Sequence, residues 1–174
     1  MLFPYQSGIM LASNRGLQIP VTSYANNGGT GDRTALITVT ATAPIDGFAG
    51  VLSNLVDGGF GANATDATSP ITTATTGQYV RFQFPSKVYI DEAKIYYNII
   101  FTGNGDWKWR ASNDASSWVD VSVAFTWDVN TEVMSLSPPD PAGYLYYQME
   151  ITADHNMVND WCLEFEFKIA PGAT

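Results

Sequence analysis

The sequence predicts an all-β fold: an antiparallel β-sandwich of jelly-roll type preceded by an extended arm. Three observations predict it. Apolar and polar residues alternate at period two in seven or eight short stretches, the pattern of half-buried antiparallel strands. Thr, Val, Ile and aromatic residues are plentiful, and Gly and Pro punctuate the chain at regular intervals, which suits strands joined by turns. No long stretch carries a helical period. With 174 residues, 45% of them hydrophobic, the chain can bury a full core in one domain.

The elements follow in order. Residues 1–34 form an arm, with an apolar segment and then the turn-rich joint "SYANNGGTGDR". The sandwich runs from residue 35 to residue 170, and 171–174 are a short tail. "ALITVTATA" (35–43) places Ile37, Val39 and Ala41 on one face. "QYVRFQF" (78–84) sets Val80, Phe82 and Phe84 against Tyr79, Arg81 and Gln83. "KVYIDEAKIYYNIIF" (87–101) reads as two strand pieces with a kink near Asp91 and Glu92. "DWKWRAS" (106–112) sets Trp107, Trp109 and Ala111 against Lys108 and Arg110, and "WVDVSVAFTW" (118–127) alternates again. "GYLYYQMEIT" (143–152) puts Leu145, Tyr147, Met149 and Ile151 on one side. "CLEFEFKIA" (162–170) puts Leu163, Phe165, Phe167 and Ile169 inward and Glu164, Glu166 and Lys168 outward.

Charge excludes some partners. The net charge is −9, and the eight basic residues are scattered singly, so a phosphate backbone finds no cluster to neutralise it. Neither nucleic acid nor an anionic membrane is an expected partner. No stretch reaches the ~18 apolar residues of a membrane helix. The first residues, "MLFPYQSGIMLASNRG", lack a leading Lys or Arg and are broken by Pro4 and Gly8, so no signal peptide is expected and synthesis is assigned to the cytoplasm. Cys162 is the one cysteine, which excludes an intrachain disulfide and reads as a small buried hydrophobe.

The stretch "RASNDASSWVDV" (110–121) raises a question of its own. Asn and Asp bond their own nearby backbone and tolerate left-handed dihedrals, so Ser112 to Ser117 reverse a hairpin. Trp118 directly after the turn needs another reason. Covering the open end of the core is the reading preferred over ligand contact.

With strands on both sides, that turn resembles the signature of the galactose-binding-like β-sandwich family, the discoidin or coagulation-factor C-type domains and many carbohydrate-binding modules. In that family a strand ends in Ser-Asn-Asp-Gly and a Trp follows; here Ala115 replaces the Gly. "LSNLVDGGF" (52–60) is similar to the family's early Asp-Gly loop, "YVRFQF" (79–84) to one of its strands, and "YLYYQMEIT" with "LEFEFKI" to its last two. The resemblance spans residues 35–170.

It implies two kinds of site. The family's Asp-Gly loop often carries a structural calcium closed by the Glu of the last strand. Here that maps to Asp57 and Glu164, with Asn54, Thr65 and Asp66 as helpers. The alternative is an Asx-turn at Asp57 with Glu164 solvated. A sugar site in the family lies in loops at one end of the sandwich. The corresponding loops here offer Asn104, Asp106, Trp107, His155, Asn156, Asn159 and Trp161. For Trp161 core packing competes with stacking, and an exposed His155 without a role competes with a hydrogen-bonding one. Arg81 and Arg110 fall on strand faces, where pairing with acids accounts for them.

Catalysis is not expected. The chain has one histidine and shows no nucleophile elbow, phosphate loop or Cys/His pair. The arm carries Leu2, Phe3, Tyr5, Ile9, Met10 and Leu11, apolar enough to pack back on its own domain or to dock on a neighbouring subunit. Arm, sandwich and the phrase "ITVTATA…LSNLVDG" together resemble bacteriophage virion components. The sequence expectation is therefore a non-catalytic phage structural protein of tail, fibre or capsid surface, whose partners are other virion proteins, its own copies and host-surface glycan. The alternatives are a free carbohydrate-binding module and, more weakly, a glycan-cleaving enzyme.

Overall fold

A computed structural model describes residues 20–42, 51–60, 75–97, 105–126, 131–154 and 162–171. In chain order it contains β1 (Thr38–Ala41), a 3-10 turn η1 (Leu52–Val56), β2 (Tyr79–Tyr97), β3 (Asp106–Ser112), β4 (Val119–Asp120), β5 (Phe125–Thr126), β6 (Thr131–Ser135), β7 (Tyr144–Ile151) and β8 (Cys162–Pro171). All strand pairs are antiparallel.

β2 organises the molecule. Its first half pairs with β1 and β7, and its second half pairs with β6 and β8. The register shifts between Gln83 and Val88, around Pro85, whose missing N–H interrupts the ladder. One strand thus passes from a front layer, ordered β1-β2-β7-β3-β4, to a back layer of β6, β2 and β8. The strand expected over 78–84 and the two pieces expected over 87–101 form, as far as Tyr97, one strand with a bend. The kink expected near Asp91 is present as a second register shift, between Ile90 and Glu92.

The layers meet through the apolar face that the alternation marks. Val80 and Phe82 from the front and Ile90, Ile95, Phe165 and Phe167 from the back are all fully buried. The Phe82 ring lies 4.9 Å from that of Phe165 and 5.1 Å from that of Phe167, and Trp109 closes on both at about 6 Å. Offset and edge-on contacts of this kind add to area burial.

Four expectations need correcting. The core is filled by Trp107 and Trp109, and Trp118 is only half-buried, on the opposite face of the front layer. The single strand expected over 118–127 is two short pieces, because Ser122 turns its hydroxyl onto the Trp109 N–H and leaves Val123 exposed. β6 was not expected, and its burial alternates only between exposed and half-buried.

The fourth concerns the arm. Residues 20–34 belong to the sandwich. Ser23 exchanges backbone hydrogen bonds with Ile169 at 3.0 and 3.2 Å, and the Phe167 N–H donates to Gly29 O at 3.0 Å. This segment covers the edge of β8 that β2 leaves open, satisfying groups that would otherwise invite another chain. The boundary near Thr34 is therefore not a boundary of packing. The arm residues Leu2, Phe3, Tyr5, Ile9, Met10 and Leu11 lie outside the described residues.

Candidate functional site

Strand alternation places Tyr79, Arg81 and Gln83 on the outer face of the front layer, opposite Val80 and Phe82. Cross-strand register then lines up Thr40, Arg81, Gln148, Arg110 and Asp120 in one row. Trp118 lies two residues before Asp120 and so faces the same way. That is the physical reason it misses the core.

The row is a connected polar network. Arg81 donates from Nε and Nη2 to Gln148 Oε1 at 3.0 and 2.9 Å. Gln148 Nε2 donates to Glu150 Oε2 at 2.7 Å, and Arg110 Nη1 donates to both Glu150 oxygens at 3.1 Å. Arg110 Nε lies 3.2 Å from Asp120 Oδ1, and Lys108 Nζ lies 3.0 Å from Asp120 Oδ2. Arg110 and Lys108 are thus neutralised by acids.

Arg81 differs. Among the described residues its guanidinium meets no carboxylate. It sits 4.1 Å from the Tyr79 ring centroid and 4.7 Å from that of Trp118. The contact is a cation–π pairing with two aromatic faces. Both rings and the guanidinium are half-buried, so they keep contact with solvent. A flat cation held in place by an amide and two rings, with Nη1 free of any bond among the described residues, can donate to a hydroxyl or carboxylate oxygen of a ligand.

The turn behind Trp118 is built for position. Asp114 Oδ1 accepts from the Ser116 and Ser117 N–H groups at 2.8 and 2.7 Å and from Ser112 Oγ at 3.0 Å. These bonds hold its carboxyl well below the usual carboxylate range. Asn113 Oδ1 accepts from the Leu145 N–H at 3.2 Å, fastening the turn to β7. Ala115 takes a left-handed φ of 57°, where the family pattern has Gly.

At the loop end of the sandwich, Asp106 is exposed and accepts from Thr126 Oγ1 at 2.7 Å. Nearby, Asp154 Oδ1 accepts from both the N–H and the hydroxyl of Thr76 at 2.6 Å. Trp107 is fully buried in the core and cannot touch a sugar there, because it follows Asp106 on the opposite side of β3. Asn104, His155, Asn156, Asn159 and Trp161 lie outside the described residues.

Of the residues implied to hold calcium, Asp57, Asn54 and Glu164 are described, and Glu164 lies on the face of β8 opposite Phe165. Asp57 forms an Asx-turn, its Oδ1 accepting the Gly59 N–H at 2.7 Å. Asn54 is half-buried in η1, while Thr65 and Asp66 lie outside the described residues. Glu164 is not solvated: it is fully buried, accepts the Gly58 N–H at 3.1 Å through Oε2, and forms an ion pair with Arg33 through Oε1. Gly58 has φ +78°, and a Cβ there would come within 2.7 Å of the Gly31 carbonyl carbon, so the two loops touch backbone to backbone.

Arg33 is 1% exposed and donates from Nε to Gly31 O at 2.8 Å, from Nη1 to Gly29 O at 2.6 Å and from Nη2 to Phe165 O at 2.8 Å. Burial pulls its guanidinium down to about 10, while Glu166, Asp57 and Asp32 oppose that fall, so it stays cationic at neutral pH. Calcium wants six to eight oxygens. Here the buried carboxylate is already taken by a cation, and no group of three or more Asp, Glu, His or Cys among the described residues is arranged to hold a metal. The described residues do not fit a calcium ion.

Sequence reasoning missed Arg33 as a site residue and assigned Arg81 to acids. Nothing in a single sequence marks Arg33, since its partner is 131 positions away. Arg81 carried a weak signal in its place on the polar face between aromatic and amide residues.

No protein-family model matches the chain, and no curated protein matches it. Solved structures do. A chitosan-binding module from a chitosanase/glucanase of Paenibacillus sp. IK-5 is similar at TM-score 0.56 and 18% identity, over 77% of this chain and 96% of that one. A family 32 carbohydrate-binding module bound to GalNAc is similar at TM-score 0.55 and 17% identity, over 75% and 95%. The chain has the fold of such modules. A third, from Clostridium perfringens and in complex with GalNAc-β-1,3-galactose, is similar at TM-score 0.54 and 12% identity, over 77% and 96%. The likeness to a Clostridium perfringens GH89 chain in complex with its substrate covers 83% of this chain but 15% of that one. The galactose-binding-like sandwich implied by the resemblance is thus the fold observed.

Proposed function

We propose that this protein is a non-catalytic glycan-binding domain, and that the outer face of its front layer holds the sugar. The observation that carries the reading is the Tyr79–Arg81–Trp118 stack: a guanidinium that meets two rings on a solvent-facing sheet and, among the described residues, no carboxylate. Aromatic rings offer a face to sugar C–H bonds, and the guanidinium edge, held by Gln148, offers a planar donor group to hydroxyls. The likeness to modules solved with GalNAc or a GalNAc-galactose disaccharide favours this over the virion role expected from the sequence.

A glycan array followed by titration calorimetry tests it. Binding to at least one glycan is expected, with Trp118→Ala and Arg81→Ala each weakening it about tenfold, or ~1.4 kcal/mol. Binding that both variants leave intact moves the site to the loop residues Asp106, His155, Asn156, Asn159 and Trp161, where Trp161→Ala then abolishes it. A flat array overturns the glycan reading itself.

A further inference from the structure

The structure assigns to Arg33 the role of a built-in cation: its guanidinium joins the 29–33 loop to β8, and through Glu164 to the 57–59 loop, at a point lined by oxygen atoms, and it makes the fold independent of divalent metal. The setting consists of the carbonyl oxygens of Gly29, Gly31 and Phe165 at 2.6 to 2.8 Å and the buried Glu164 carboxylate. Oxygen atoms, carbonyls and carboxylates among them, are what calcium selects. A guanidinium meets the same demand differently. Its five N–H donors lie in a rigid plane, and here they are spread over three carbonyls and a carboxylate.

The surroundings fit this assignment. Glu164 Oε2 takes the Gly58 N–H, so one carboxylate links the Asp-Gly loop to the cation. The Arg33 N–H donates to Val56 O at 2.8 Å, and its carbonyl accepts from the Ile37 N–H at 2.8 Å, which fixes the backbone beneath the guanidinium. The loop it closes has little room to shift, because Gly58 and Gly31 are in backbone contact. Side chain and backbone are thus both committed before any ion arrives. A metal entering here would have to displace a positive charge that is already paired.

The test uses thermal melting of the full chain in chelator and in millimolar calcium chloride. The native protein is expected to melt at the same temperature in both; a shift of more than a few degrees overturns the assignment. Arg33→Ala leaves the oxygens and the Glu164 charge without a cation. It is expected to melt on the order of 10 °C lower in chelator and to recover part of that loss in calcium. Recovery is expected to vanish in the double variant Arg33→Ala/Glu164→Ala, and an Arg33→Ala protein that ignores calcium overturns the idea that the two cations are interchangeable. Should Arg33→Ala fail to fold in chelator, Arg33→Lys keeps the charge and is expected to stay indifferent to calcium; a calcium-dependent Arg33→Lys protein also overturns it.

Discussion

Ala115 shows how one residue departs from its local rule without breaking the turn. A left-handed φ costs an L-residue about 1–2 kcal/mol, and glycine removes that cost while adding freedom to the unfolded chain. Ala115→Gly is therefore expected to stabilise the protein by about 0.5–1 kcal/mol, read as a higher urea midpoint with an unchanged slope. Next to it, Asp114 contributes through its charge. Its folded carboxyl ionises at lower pH than in the unfolded chain, so the stabilisation is present above the unfolded value of about 4 and is lost as pH falls below it. Asp114→Ala should be clearly less stable than the native protein at neutral pH, with the gap narrowing as pH falls from 4 toward 2, as urea melts at neutral pH and at pH 2 would record. In the core, Trp109→Ala removes the ring that touches Phe82, Phe165 and Phe167, and a loss of about 3–5 kcal/mol is expected. Cys162, the one cysteine of the chain, is buried on β8. A thiol reagent should find it silent in the native protein and titrate one equivalent after denaturation.

At the scale of the element, β8 repays comparison with the pattern that announced it. Period-two reading put Glu164 and Glu166 in solvent, yet both are buried, because the 20–33 segment lies over that side. Glu166 accepts from the Tyr96 hydroxyl at 2.7 Å, and burial with that bond pushes the phenol up to about 12. Tyr24 donates to Glu92 Oε1 at 2.8 Å and stacks under Lys94 at 4.0 Å. A polar face can thus be an interior face when another piece of chain supplies partners. The consequence is a sharp difference between two truncations. Removal of residues 1–19 keeps the β8 edge covered and the Arg33–Glu164 pair in place, and the product should stay folded by circular dichroism. Removal of residues 1–33 uncovers the β8 edge and strips Glu164 of its cation, and the product should be insoluble or unfolded by circular dichroism. The same 1–19 truncation tests attachment: lost self-association with intact glycan binding assigns an assembly role to that stretch.

For the whole molecule, the two layers share one strand, and most pairings join residues far apart in sequence, such as Thr38 with Gln83 and Tyr89 with Ala170. Topology of this kind folds slowly, because loop closure precedes the contacts that reward it. The two faces of the front layer have divided tasks. The inner one is apolar and continuous with the core. The outer one carries the guanidinium, amide and carboxylate row and is the face proposed above to meet a glycan.

Local chemistry was enough to establish several things about this protein. Alternation located the strands other than β6 and the inward residues Val80, Phe82, Trp107, Trp109, Tyr147, Met149 and Ile151, since which side of a strand a residue takes depends only on its neighbours' period. The Ser-Asn-Asp turn declared itself for the same reason, as its hydrogen bonds close within a few residues. Only the tertiary structure decided the bend that carries β2 between layers, the folding of residues 20–34 onto β8, the pairing of Arg33 with Glu164 and the stacking of Arg81 against Trp118. Each of these depends on which distant segments become neighbours. A buried ion pair or a shared aromatic stack leaves no periodic trace along the chain, because its energy belongs to two positions that meet only once the sheet has formed.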